Sequence, residues 1–109
     1  MKKLLLAGTI AIVAATITVR AGDAKSIYED SCAKCHGSDG KGATKMGQKL
    51  GAKDYTDAKV QADLKDDAAT KAIKEGLKND EGKTLMKANA DLSDEDVKAL
   101  IAYMRAFKQ

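Results

Sequence analysis

Two cysteines and one histidine stand together in the pentapeptide Cys32-Ala33-Lys34-Cys35-His36, and the chain has no other residue of either type. Residues three or four positions apart share one face of a helix, so both thiols and the imidazole can point toward a common group. The C-x-x-C-H spacing is typical of covalent haem attachment, in which the thiols add to the haem vinyl groups and the histidine binds iron. The pattern therefore predicts one haem c, attached through Cys32 and Cys35, with His36 as the proximal iron ligand.

Two other kinds of site use a Cys-x-x-Cys pair. A redox-active dithiol is expected in a thioredoxin-like βαβ context, and the sequence shows no strand alternation. A structural zinc site needs two further cysteine or histidine ligands, which this sequence does not contain. Haem attachment is therefore the favoured interpretation.

The N-terminus has the pattern of an export signal. Lys2 and Lys3 give a positive start, residues 4–19 carry no charge, and small residues follow at Val19 and Ala21. This pattern predicts a signal peptide that is cleaved after Ala21. An uncleaved membrane anchor is the alternative, but a spanning helix needs about 20 predominantly apolar residues, and glycine and threonines dilute this segment.

The predicted signal peptide covers residues 1–21 and leaves a mature chain of residues 22–109. Removing Lys2, Lys3 and Arg20 takes the 19 basic residues to 16, equal to the 16 acidic residues, so the basic pI of 8.8 belongs to the signal. Nucleic-acid binding therefore has no support. Export predicts a periplasmic protein without stable membrane insertion, and we expect a monomer. In that oxidising compartment the cysteines would form a disulfide unless haem attachment consumed them.

The mature chain is predicted to be all-α, with about four helices separated by glycine-rich loops. Five glycines between residues 37 and 51 predict a long loop in which a helix is not expected. Apolar periodicity predicts a first helix from about residue 23 into the haem motif, a short helix over 56–65 and a longer one over 67–78. A last helix is predicted to begin after Ser93.

The start of the last helix has a specific local pattern. Ser93 and Asp96 are spaced as in a capping box, and Leu92 and Val97 occupy the positions of a hydrophobic staple. Apolar residues then recur at helical spacing as far as Met104. The last helix should pack across the first one.

A haem iron bound by one histidine needs a sixth ligand, for which the candidates are three methionines and the lysines. Met104 lies on the apolar face of the last helix, where packing is its expected role. Met46 lies only ten residues after His36, a short return that favours the proximal side. Met86 lies in the segment 81–91, which has no helix pattern and can cross to the other haem face. A loop methionine more commonly covers apolar surface, so the residues favour Met86 without excluding that role.

The mature chain resembles the class I c-type cytochromes over nearly all of residues 22–109. The matching residues are Tyr28, the haem motif with Gly37, Gly40-Lys41-Gly42, Gly51, Met86, Leu92-Ser93-Asp94-Glu95 and Leu100-Ile101-Ala102-Tyr103. The resemblance implies a cytochrome c fold, with helices and glycine-rich loops wrapped around one covalently bound haem. It also implies that Met86 is the distal ligand and that Tyr28 and Tyr103 mark the crossing of the terminal helices.

The sequence departs from this family at two positions. Lys87 follows Met86 where many relatives have proline, so we expect a less rigid loop. Gln48 lies in the stretch where the family often uses a proline carbonyl to accept the free N–H of the proximal histidine. We expect a Gln48 carbonyl to accept that hydrogen bond from His36, since such bonds orient a ligand and tune the metal.

These features together predict a periplasmic electron carrier rather than an enzyme, because two axial ligands leave oxygen and peroxide no open site on the iron. One alternative is a haem-based enzyme or gas or redox sensor in which Met86 leaves the iron. Another is an electron-entry subunit of one dehydrogenase. Expected partners are redox proteins with acidic docking surfaces, because charge complementarity speeds encounter. The lysines proposed to face them are Lys34, Lys41, Lys45, Lys49, Lys53, Lys83 and Lys87.

Overall fold

The computed structural model describes residues 8–13 and 21–109. Most of the predicted signal peptide lies outside these ranges, so its boundary after Ala21 stays a prediction. Residues 8–13 are exposed and have no regular secondary structure. Among the helices in the described ranges, none has the length and hydrophobicity needed to span a bilayer.

The described residues form six helices and one two-stranded antiparallel sheet. The helices are α1 (Ala21–Ser31), α2 (Ala33–His36), α3 (Lys45–Leu50), α4 (Ala58–Asp63), α5 (Asp66–Glu75) and α6 (Asp94–Arg105). The strands are β1 (Leu77–Lys78) and β2 (Thr84–Met86), which lie between α5 and α6. The mostly helical fold that the sequence predicts is confirmed.

The core lies where α6 packs against α1 and α5. Its buried side chains are Tyr28, Ala69, Ile73, Val97, Leu100, Ile101 and Met104. The ring of Tyr28 lies 5.0 Å from that of Tyr103 and 5.4 Å from that of Phe107, measured between centroids. Aromatic pairs at this separation stabilise a contact beyond the area that they bury. The expected crossing of the terminal helices at Tyr28 and Tyr103 is confirmed.

Local hydrogen bonds fix the start of α6 as the sequence predicts. The Ser93 hydroxyl accepts a bond from the Asp96 backbone N–H at 3.1 Å, and the Asp96 carboxylate accepts one from the Ser93 N–H at 3.3 Å. This reciprocal pair is a capping box, which satisfies N–H groups that have no partner within the helix. Leu92 packs against the buried cluster that includes Val97, as expected for a hydrophobic staple.

The end of α6 is tied to the start of α5 through Arg105. Its guanidinium donates to the carbonyls of Gln61 and Leu64, each at 2.6 Å, and to the Asp66 carboxylate at 2.7 Å. The buried Gln61 amide in turn donates to the Met104 carbonyl at 2.9 Å. Buried polar groups are stable only when they are hydrogen-bonded, and here the bonds join α4, α5 and α6.

The glycine-rich loop contains a helix that we did not expect. Helix α3 begins after Thr44, whose hydroxyl accepts a hydrogen bond from the Gly47 N–H at 2.9 Å. It ends at Gly51, which adopts the left-handed conformation (φ +77°) that favours glycine at a helix end. The prediction of an uninterrupted loop between residues 37 and 51 is therefore wrong over Lys45–Leu50.

The other differences concern the chain after α5. The predicted helix over 56–65 is confirmed as α4, but the helix predicted over 67–78 ends earlier, at Glu75, because Gly76 takes a positive φ of 76°. The next residues form β1, in which Leu77 pairs with Met86 of β2. No sequence pattern predicts this hairpin, which places Met86 in a strand rather than in the expected loop.

Candidate haem site

The C-x-x-C-H motif lies on one helical turn at the junction of α1 and α2. The Cys32 N–H donates to the Tyr28 carbonyl at 2.8 Å, so the turn continues from α1. The Cys32 carbonyl then accepts bonds from the N–H groups of Cys35 at 3.2 Å and His36 at 3.0 Å. Both cysteines are free thiols and half-buried. The structure therefore brings Cys32, Cys35 and His36 together on one turn, as the spacing predicts.

His36 has the properties of a neutral imidazole that is available as a ligand. Its Nδ1 atom is buried and makes no hydrogen bond within the described residues. Burial lowers the pKa of His36, which favours the neutral form that binds metals. The ring lies 5.6 Å from that of Tyr55, measured between centroids, at an angle of 49°. An imidazole in this state fits the iron of a haem.

Burial also affects the first thiol. It raises the pKa of Cys32, and the neighbouring Cys35 raises it further. The raised pKa favours the neutral thiol of Cys32 over the thiolate, which is the form that binds metals. In the described ranges, no three His, Cys, Asp or Glu side chains are placed to hold a metal ion. The two thiols and the imidazole thus fit thioether attachment of haem better than a zinc site.

Hydrogen bonds from three directions hold the backbone around His36. The Tyr28 hydroxyl donates to the Gly37 carbonyl at 2.6 Å, and the Thr44 hydroxyl donates to the Cys35 carbonyl at 2.8 Å. The Gly42 N–H donates to the His36 carbonyl at 2.8 Å. Helix α1, the glycine loop and the start of α3 therefore fix the peptide units that carry the proximal histidine.

Helix α3 lies so close to the motif that only glycine fits at position 47. A Cβ atom built on Gly47 would collide with the Cys35 carbonyl oxygen and would lie 2.5 Å from the Gly42 carbonyl oxygen. Real Cβ atoms do not approach backbone oxygens this closely. The close approach explains why a glycine occurs inside α3, where it otherwise weakens a helix.

The expected hydrogen bond between His36 and Gln48 is wrong. Gln48 is exposed, and its side-chain amide donates to the Ala43 carbonyl at 3.0 Å. No carbonyl of the described residues accepts a bond from the Nδ1 atom of His36. The His36 ring contacts the ring of Tyr55, a contact that no sequence pattern predicts.

The three candidate methionines occupy different environments. Met104 is 8% exposed and belongs to the core, as expected. Met46 lies in α3, the helix that packs on the haem motif. Met86 ends β2, is half-buried, and packs against the same buried cluster as Cys32. The haem motif and Met86 are therefore joined through one core.

Lysines dominate the surface beside the haem motif. The exposed lysines of this region are Lys34, Lys41, Lys45, Lys49 and Lys53. Asp39 is the acidic residue among them, and its carboxylate accepts a bond from the backbone N–H of Lys41 at 3.1 Å. Acidic residues instead occupy the first turns of α5 and α6.

Comparisons with known proteins agree with this geometry. The family model for cytochrome c matches residues 21–108. The solved structure of a protein described as KustC0563 c-type cytochrome is 36% identical in sequence, with a TM-score of 0.67, and the match covers 80% of this chain and 99% of that chain. No curated protein matches the chain. The chain belongs to the cytochrome c family, whose members are typically electron carriers: it is a small c-type cytochrome with covalently bound haem c, and its function is haem-based electron transfer.

Proposed function

We propose that this cytochrome is a periplasmic electron carrier with one haem c, attached through Cys32 and Cys35 and ligated by His36 and Met86. The observation that carries the proposal is the single helical turn with two free thiols and a half-buried imidazole, whose buried Nδ1 atom lacks a hydrogen-bond partner among the described residues. One-electron exchange at iron is the chemistry that haem supplies when it is bound.

The two cysteines hold the porphyrin, and the surrounding backbone keeps His36 in place. Both thiols belong to a turn whose carbonyls are hydrogen-bonded by Tyr28 and Thr44. An electron carrier functions best when its ligands move little between oxidation states. The hydrogen bonds around the motif supply that rigidity on the proximal side.

Met86 is the best-supported distal ligand of the three methionines. Met104 is buried in the core, and Met46 lies on α3, which packs against the turn that carries His36. Met86 is half-buried at the end of a strand and shares the core with Cys32. A thioether ligand raises the potential of haem iron, which suits a high-potential carrier.

Export to the periplasm is supported by the sequence pattern of residues 1–21 and by the chemistry of the motif. The pattern has a basic start, an apolar segment and small residues before the expected cleavage site. In an oxidising compartment two cysteines this close would form a disulfide, and thioether bonds to haem prevent that. The mature protein would then be neutral overall, with its charges separated on the surface.

The partners are proposed to be redox proteins with acidic docking surfaces. The lysines beside the motif are exposed and outnumber the acids there, whereas acidic residues occupy the first turns of α5 and α6. Such a separation of charge orients an approaching acidic partner toward the lysine-rich side.

Acid–acetone extraction, mass spectrometry and optical spectroscopy of the purified mature protein test the proposal. We expect haem that stays with the polypeptide in acidic acetone, a mass of residues 22–109 plus one haem, and a weak near-infrared sulfur–iron band in the ferric protein. The ferrous protein should not bind carbon monoxide rapidly. Immediate binding would instead support the enzyme or sensor alternative, because it would show an open iron position. Co-purification with one dehydrogenase would support a dedicated electron-entry subunit.

A further inference from the structure

The segment that carries Met86 is held by a hairpin. Leu77 of β1 pairs with Met86 of β2, and Lys78 pairs with Thr84. The expected loop, without the proline that many relatives have after the methionine, would have left Met86 poorly fixed. Strand pairing thus supplies a constraint that the sequence of this segment does not reveal.

One side chain closes the turn of this hairpin. The Asn79 side-chain oxygen accepts hydrogen bonds from the backbone N–H groups of Glu81 at 3.0 Å and Lys83 at 2.9 Å. The Asn79 backbone also donates to the Lys83 carbonyl at 2.9 Å and accepts from the Gly82 N–H at 3.0 Å. Asn79 therefore participates in four bonds, of which two depend on its side-chain oxygen.

The hairpin lies against the end of α5 at Met86 and just beyond it. Gly76 lies so close to the strand that a Cβ atom there would be 2.5 Å from the Met86 carbonyl oxygen. Beyond the strand, the Asn89 N–H donates to the Ile73 carbonyl at 2.9 Å. At the other end of β2 the strand is held by the turn, which the Asn79 side chain closes.

We propose that Asn79 is a positioning residue for the distal ligand: by closing the β1–β2 turn, its side-chain oxygen holds the Met86 sulfur against the iron. The inference rests on the proposed ligation by Met86. Without the two bonds to Asn79, the hairpin opens more often and the sulfur leaves the iron more often. An external ligand then binds more tightly, because its apparent affinity is proportional to the fraction of molecules with the sulfur dissociated.

Imidazole binding to the ferric holoprotein at pH 7 measures the fraction of molecules in which the Met86 sulfur has left the iron. Binding is followed in the Soret region and by loss of the near-infrared band. For Asn79→Ala we expect the affinity for imidazole to rise about tenfold, as the loss of two hydrogen bonds predicts. Asn79→Asp keeps the acceptor oxygen and should stay within about twofold of the wild type. Asp80→Ala is the matched control, since the Asp80 side chain lies in the same turn and bonds to none of the described residues.

A Met86→Ala background separates positioning from a general loss of stability. If Asn79 acts through Met86, adding Asn79→Ala to Met86→Ala should leave imidazole affinity unchanged. An Asn79→Ala protein with wild-type affinity, or an equal rise in both backgrounds, overturns the inference and leaves the ligand assignment intact. Should Met86→Ala itself bind imidazole no more tightly than the wild type, the ligand assignment fails and the inference fails with it. If Asn79→Ala yields no holoprotein, Asn79→Ser is held to the same criteria.

Discussion

At the scale of single residues, the members of the haem motif are neighbours in the sequence, whereas Met86 is distant from them in the sequence. Cys32, Cys35 and His36 belong to one turn, so their spacing alone predicts that they lie together. The contact between His36 and Tyr55 and the bond from Tyr28 to Gly37 join residues across the fold. Such contacts leave no periodic pattern in the sequence, which is also why the Gln48 hypothesis failed.

The methionine assignment can be decided by three substitutions. Met86→Ala should abolish the near-infrared sulfur–iron band, lower the midpoint potential and allow carbon monoxide to bind the ferrous protein. Met46→Ala and Met104→Ala should keep the band. Met104 is buried, so its replacement should instead cost about 2–5 kcal/mol of stability from lost packing. A band that survives Met86→Ala and disappears in Met46→Ala would reverse the assignment.

The Tyr28 hydroxyl provides a second test at this scale. Tyr28→Phe keeps the ring contacts with Tyr103 and Phe107 but removes the buried bond to the Gly37 carbonyl. Burial raises the pKa of Tyr28, so the hydroxyl remains a donor at neutral pH. The Gly37 carbonyl still accepts from Gly40, so we expect a loss of about 1 kcal/mol in urea denaturation.

Tyr103→Phe is the matched control for this substitution. The Tyr103 ring lies in the same aromatic cluster, and its hydroxyl has no partner in the part of the chain that the structure describes. Its stability should therefore stay within about 0.5 kcal/mol of the wild type. Equal losses in the two variants would show that the Tyr28 hydroxyl contributes nothing specific.

At the scale of elements, the position of α3 depends on a glycine. Alanine in place of glycine usually stabilises a helix by about 1 kcal/mol. At position 47 the added Cβ collides with the Cys35 carbonyl, so Gly47→Ala should instead destabilise the holoprotein by about 2 kcal/mol and shift its haem spectrum. Urea denaturation and the Soret band of the two proteins check both effects.

Gly51→Ala, at the C-cap of the same helix, is the control. Gly51 has a positive φ but open space around it, so alanine there costs only backbone strain, about 1 kcal/mol, and leaves the spectrum unchanged. The close approach to Cys35 would be unimportant if Gly47→Ala proved as stable as the wild type.

The elements that the sequence predicts are those defined by local patterns, and the ones it does not predict depend on contacts between distant residues. Helix α6 is predicted correctly because its cap, its staple and its apolar face are all local patterns. Helix α3 is not predicted, because glycine usually indicates a loop. Gly47 is glycine because the Cys35 carbonyl oxygen leaves no room for a Cβ atom. Strands of two and three residues are too short for alternation to be detected, so the hairpin that holds Met86 was missed as well.

At the scale of the whole molecule, the haem should decide whether the chain folds. The sequence has only three tyrosines and one phenylalanine, and a domain of this size buries a limited part of its surface. Haem that is bound only in the native state stabilises that state. We expect a Cys32→Ala/Cys35→Ala variant expressed without haem to show little helicity by circular dichroism. A cooperative urea transition with native helicity would show that the polypeptide core is sufficient.

The distribution of charge should control the rate of electron exchange. Lys45 and Lys49 lie exposed on α3 beside the haem motif, whereas Lys98 lies exposed on α6. Hexacyanoferrate(III) is a small anionic oxidant whose encounter with the ferrous protein depends on local charge. A Lys45→Glu/Lys49→Glu variant should be oxidised about tenfold more slowly at low salt, and the difference should shrink at high salt as the charges are screened. Lys98→Glu changes charge away from the motif and should react at nearly the wild-type rate. Lys98→Glu makes half the change in charge of the double variant; if it gives half the logarithmic decrease in rate or more, net charge controls the encounter and the lysines beside the motif do not form a docking surface.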